Sequence, residues 1–196
     1  MEVRYIPKDE LFALLALPEN DGYKENLYYF NDGLAQNQEH VAAIDGTVVA
    51  GLRGAYFHQG RWEVTYITIH PKYRSQGLVR KITKAFLSHV QSTTPEAPVL
   101  NSRYSPEGMV LVPMWTELAQ EYSTLKIFHK VRGMGDQDAK FPLLEYDDKV
   151  IATIEGVDYE TTVNDCGLNP NMEAYVSVKI PGENYVRVPR SQIKKI

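Results

Sequence analysis

Between Arg61 and Gln91 the spacing of apolar positions changes period. Arg61-Trp62-Glu63-Val64-Thr65-Tyr66-Ile67-Thr68-Ile69 is rich in β-branched and aromatic residues and predicts a strand. From Leu78 to Gln91, Val79, Ile82, Phe86 and Val90 recur at helical spacing. The eight residues between them, His70-Pro71-Lys72-Tyr73-Arg74-Ser75-Gln76-Gly77, must be a loop.

The same patterning places the other elements. Glu2–Ile6 predicts a first strand, and Pro7 opens a helix over about Lys8–Leu17 with Leu11, Leu14 and Leu15 along one side. Glu25–Gln36, with Tyr28, Tyr29 and Phe30, predicts a second helix. His40–Ile44 and Thr47–Phe57 alternate around Asp45-Gly46, a hairpin signal. Gly51 and Gly54 inside the second of these strands predict a bulge or a close backbone approach. Val99–Ser102 predicts a short parallel strand. Ser105 caps a helix expected to reach Tyr122, broken or kinked by Pro113. Leu125–Val131 predicts a sixth strand.

From Gly133 the texture changes, and Gly133–Asp138 reads as a linker. The short runs Val150–Ile154, Tyr159–Val163, Ala174–Ile180 and Tyr185–Val188 follow, separated by turn residues, including 164–171. They predict a small antiparallel sheet or barrel, similar to an SH3-like barrel though without a diagnostic motif. Two domains are expected, residues 1–135 and 136–196.

Composition narrows the function classes. The net charge is −4, with 15 basic and 16 acidic residues up to Lys140 and 6 basic and 9 acidic residues after it. Neither part has the basic footprint of a nucleic-acid binder. No apolar run is long enough to cross a membrane, and Met1-Glu2-Val3-Arg4-Tyr5 lacks a signal-peptide core, so a cytoplasmic protein without a membrane partner is expected. Cys166 is the single cysteine, and the five histidines lack ligand spacing, so no metal site is expected.

The loop carries the chemistry. A helix start leaves backbone N–H groups without intrahelical partners and favours a phosphate there. Gly77 permits close approach of a ligand. A Walker loop requires Gly-Lys-Ser/Thr, whereas Leu78-Val79 follows Gly77; a dinucleotide fingerprint requires three spaced glycines, and this loop has one.

Ile69-His70-Pro71-Lys72-Tyr73-Arg74-Ser75-Gln76-Gly77-Leu78-Val79 resembles the acyl-CoA loop of the GNAT superfamily of N-acetyltransferases. Ile69, Pro71, Arg74, Gly77 and Leu78 stand in register with that pattern. Ser75 stands where the family's first glycine is usual, and Val79 where its closing Gly or Ala is usual. The resemblance implies an α+β fold with a mixed, mostly antiparallel central sheet flanked by helices, followed here by the small all-β domain. It implies acetyl-CoA as co-substrate, held by backbone along Ile67, Thr68 and Ile69 and by Arg74, Ser75, Gln76, Gly77, Leu78 and Val79. The acceptor is expected to be a primary amine on a small molecule or a protein.

Acetyl transfer to an amine by direct attack needs a base, an oxyanion donor and an acid for the departing thiolate. Glu63 lies where the family's lysine acetyltransferases carry a glutamate base. The implied oxyanion donor is a backbone N–H near Ile67 or Thr68. Tyr122 and Tyr104 are the candidates for the tyrosine acid that many family members take from a late helix. The family's late Asn-x-x-Ala-x-x-x-Tyr pattern does not occur. Two alternatives stay open: a GNAT-fold binding or assembly module without catalysis, and an acyltransferase acting on RNA, against which the acidic balance argues. The tail suits acceptor selection, a homodimer contact or completion of the fold.

Overall fold

The computed structural model describes residues 1–23, 38–101, 106–131 and 133–196. The expected helix over Glu25–Gln36, its three aromatics, Tyr104 and the cap Ser105 lie outside the described residues. The chain divides into two compact units, Met1–Ser102 and Arg103–Ile196. The expected boundary between residues 135 and 136 lies inside the second unit.

The first unit is a sheet with helices on both faces. Its strands are β1 (Glu2–Ile6), β2 (Gln38–Asp45), β3 (Val48–His58), β4 (Arg61–Ile69) and β5 (Val99–Asn101). Neighbours from β1 to β4 pair antiparallel. β5 pairs parallel to β4 over Trp62–Val64. Helix α1 (Lys8–Leu15) lies on one face with the 3-10 turn Pro18–Tyr23. There Ile6, Leu11, Leu15, Tyr23, Ala42, Ile44, Val49 and Leu52 form one buried cluster. Helix α2 (Leu78–Thr93) packs against β1 to β4. It buries Ile82, Phe86 and Val90 of the expected stripe together with Leu78, Thr83 and Leu87, while Val79 is half-buried.

The two strand glycines behave as anticipated. A Cβ at Gly51 would lie 2.7 Å from Cδ1 of both Ile69 and Ile82, so its absence lets α2 settle onto the sheet. Gly54 stands beside a register shift in the β3–β4 ladder and is covered by the Tyr66 ring from across the strands.

In the second unit a 3-10 turn over Glu107–Leu111 leads into α3 (Val112–Glu121). Pro113 lies in the first turn of α3, where its missing N–H costs nothing, so it starts this helix rather than kinking a longer one. β6 (Ile127–Val131) pairs antiparallel with β7 (Gly135–Asp138). The expected linker is thus partly strand. Its polar sequence hid this: buried Gln137 exchanges two hydrogen bonds with the Leu144 backbone, 2.8 and 2.9 Å, in place of apolar burial.

Five further strands complete the unit: β8 (Lys149–Ile154), β9 (Val157–Leu168), β10 (Ala174–Lys179), β11 (Tyr185–Pro189) and β12 (Ile193–Lys195). Their order is β11-β10-β9-β8-β12. They enclose Val150, Ala152, Val163, Cys166, Val176, Val178 and Val188. β9 runs five residues past the expected end, through Asn164–Leu168, where a turn was expected. Gly167 belongs there because Tyr175, its partner on β10, lies across it; a Cβ would meet the Tyr175 hydroxyl at 2.7 Å.

Candidate functional site

The strand–turn–helix from β4 to α2 holds most of the singled-out residues. β4 is fixed at its start by Trp62, whose indole N–H donates to Thr94 Oγ1 at 2.7 Å and whose ring meets Phe86 edge-on at 5.8 Å. The register shift near Gly54 leaves Thr65 as the extra residue on β4, a bulge that turns the rest of the strand. Beyond Val64 no pairing with β5 is present among the described residues. Ile67, Thr68 and Ile69 are half-buried along that stretch.

The turn is built by its own backbone. His70 N–H donates to Ala50 O at 3.0 Å, tying the end of β4 to β3. His70 Nδ1 accepts from Lys72 N–H at 3.2 Å and caps the 3-10 turn Pro71–Tyr73. The Tyr73 hydroxyl donates to Asp45 at 2.9 Å, which holds its pKa above the ordinary value. Gln76 Nε2 donates to Lys72 O at 3.2 Å. Ser75 (φ +62°) and Gly77 (φ +69°) both take the left-handed conformation. Ser75 thus supplies the shape of the glycine it replaces, at the strain such a φ costs a residue with a Cβ.

Three features favour negative charge at the start of α2. The first N–H groups of a helix have no intrahelical partners. No side chain caps them here, and no acidic residue lies in the first turn. Arg80 and Lys81 occupy that turn, with Arg74 exposed just before it. Cations at a helix N-terminus oppose the macrodipole, so this arrangement costs stability that a bound anion would return. From beneath, buried Arg53 donates to Thr83 Oγ1 at 2.9 Å, and that hydroxyl donates to Val79 O at 2.7 Å. Val79 itself is half-buried.

Residues 8–94 match the model of the Acetyltransferase (GNAT) family. Over these residues, a little under half of the chain, the sequence is similar to a GNAT acetyltransferase domain. No curated protein matches the sequence. Among solved structures, an aminoglycoside 6'-N-acetyltransferase complexed with coenzyme A is 19% identical, with a TM-score of 0.35; the match covers 47% of this chain and spans 56% of that one. A possible acetyltransferase from Clostridium difficile 630 is 10% identical with a TM-score of 0.42, covering 60% of this chain and 88% of that one. An aminoglycoside N-acetyltransferase in complex with CoA is 17% identical with a TM-score of 0.40, covering 62% and 89%.

Within the matched region, Glu63 lies on β4 four residues before Ile67. Strand alternation turns it away from the α2 face that Trp62 occupies. Glu63 is 5% exposed, and Arg61 Nε stands 3.0 Å from its Oε1. That neighbouring guanidinium escaped the sequence reading, though its position two residues away on the same strand face could have flagged it. Tyr122 closes the C-terminal end of α3 in the second unit. Tyr104 lies outside the described residues. Arg53 was also missed; its signal was one basic residue in an apolar strand between two glycines. Among the described residues no cluster of metal-ligating side chains occurs, and no helix is long and apolar enough to cross a membrane.

Proposed function

We propose that the chain is an acetyl-CoA-dependent N-acetyltransferase that moves an acetyl group to a primary amine by direct attack. The observation that carries this is the turn Arg74–Val79, where two left-handed residues precede an uncapped, basic helix start directly after a bulged strand. Backbone N–H groups from Ser75 to Val79 receive the pyrophosphate, with Arg74 adding charge. The edge of β4 at Ile67–Ile69 offers main-chain groups to the pantetheine arm. A main-chain N–H at Ile67 or Thr68 serves the oxyanion. Acetyl-CoA, when bound, supplies the thioester.

Glu63 takes the proton from the amine, directly or through water, and Tyr122 or Tyr104 protonates the departing thiolate. Calorimetric titration with acetyl-CoA, followed by a screen of amines with labelled acetyl-CoA, tests the proposal. Absence of binding at millimolar acetyl-CoA defeats it. Glu63→Gln is expected to lower turnover at neutral pH by about a hundredfold while leaving acetyl-CoA affinity unchanged.

The Glu63–Arg61 ion pair favours a second reading. The Arg61 guanidinium already occupies a carboxylate oxygen that would have to receive the proton of an amine. Tight acetyl-CoA binding without transfer to any amine would assign the chain as a GNAT-fold binding module.

A further inference from the structure

A pocket of about 600 Å³ opens in the second unit, walled by β6, the chain after β7, the β9–β10 turn and the end of β11. Four basic side chains line it, Lys126, Lys140, Arg187 and Arg190, against two acidic ones, Asp138 and Glu173.

Both acids are already engaged. Asp138 Oδ1 accepts from the Lys140 backbone N–H at 2.9 Å. Glu173 Oε2 accepts from Asn169 Nδ2 at 2.8 Å, within a turn that Asn169 Oδ1 braces by accepting from Asn171 and Glu173 N–H. The hydrogen bonds of the cations, by contrast, go to neutral groups, and Asp138 acts on Arg190 only through its charge. Lys140 Nζ donates to Ser123 O, and Arg190 donates to Ile193 O and Pro142 O, each at 2.9 Å. Among the described residues no ion pair holds any of the four. Arg190 is 4% exposed, and its buried Nε–H has no acceptor. A guanidinium carries five donors, so two carbonyls leave most of its capacity unused.

Two of the cations are held flat on aromatic rings. Arg190 stacks over the Phe141 ring at 4.8 Å, and Arg187 over the Tyr175 ring at 4.7 Å. Tyr175 is held in place by lying across Gly167. Guanidinium planes held on rings, without a carboxylate in an ion pair, suit a ligand with a planar ring and an oxyanion. A pocket of this size suits a small molecule.

We infer that this pocket is a binding site for a small molecule that joins a planar apolar ring to a carboxylate or phosphate. An amine acceptor would be repelled here by the excess of positive charge, so the site is distinct in chemistry from one that takes an amine. The inference does not depend on acetyl transfer.

The test uses the full chain and three probes with one ring and different heads: 2-naphthyl phosphate, 2-naphthoate and 2-naphthylmethylamine. Amide chemical shifts are followed by NMR during titration. Both anions are expected to move the resonances of 168–175 and 187, with Kd of about 1 mM, and the amine to move none of them. The tighter anion identifies the natural head group as phosphate or carboxylate. Arg187→Ala and Lys126→Ala, both at exposed side chains, are expected to weaken the anions by about tenfold and fivefold while the remaining spectrum keeps its dispersion. Equal binding of the amine, no shifts with either anion at about 10 mM, or anion binding indifferent to Arg187→Ala in a folded variant would overturn the inference.

Discussion

The turn after β4 and the pocket beside β10 both concentrate positive potential, but with different parts of the chain. The turn uses main-chain N–H groups fixed by two left-handed residues and a helix start. The pocket uses side chains far apart in sequence, Lys126 to Arg190, brought together at β6 and the five-stranded sheet. The first kind is local, since its geometry is set by about ten consecutive residues. The second is non-local and exists only once the sheet has formed.

The largest separation between the two is expected from Gly77→Asp. A Cβ at Gly77 would meet nothing within 4 Å, so packing is spared. The φ of +69° and a carboxylate at the helix start act together against an incoming phosphate. Acetyl-CoA affinity should fall by more than about a hundredfold in calorimetry, with naphthyl anion binding unchanged. Loss of both would show that the variant had merely unfolded, and loss of neither would show that the turn is not the phosphate site.

Acid is expected to act on both units alike. His40 in the first unit and His129 in the second are held neutral with pKa values lowered to about 4, by burial in both cases and by Lys8 as well for His40. Unfolded histidine titrates near 6.5, so below that pH the unfolded chain takes up protons that the folded one refuses. Stability is therefore full above pH 6.5, falls as pH drops towards 4, and loses about 3 kcal/mol per histidine by then. Denaturant titrations at pH 7 and pH 4.5 measure this. His129→Gln should shrink the acid loss of the second unit and leave that of the first; an unchanged pH slope would contradict the assignment.

Gly167→Ala gives a smaller and one-sided effect. The added methyl meets the outer end of the Tyr175 side chain, which can swing away, so the fold is expected to persist. The displaced ring releases Arg187, and naphthoate should bind about fivefold more weakly while acetyl-CoA titrates normally. Weakening of acetyl-CoA instead would break the division between the two regions.

The same local and non-local distinction governs what could be read from the residues alone. β4 and the start of α2 were legible to the residue because strand composition, Pro71, Gly77 and a helical stripe follow one another without interruption. Glu63 was legible as a position on β4, but its ion pair with Arg61 depends on which face the strand turns inward. β7 was not legible because its burial is carried by Gln137, a residue that sequence patterns count as exposed. β12 was missed because three residues, Ile193–Lys195, carry too little alternation to register, and only pairing with β8 defines them. The pocket left no trace in the sequence, since its basic residues are scattered through a stretch whose net charge is negative.

Cys166 is the single thiol of the chain, is 2% exposed, and has its pKa pushed up to about 12 chiefly by burial. A thiol so withdrawn stays silent towards maleimides at neutral pH. Any cysteine installed at an exposed position beside, but not within, either site would accept a fluorophore alone, without first deleting a native reactive group. The molecule thus arrives ready for single-site labelling, and a dye at each position in turn would report which ligand enters which half of the chain.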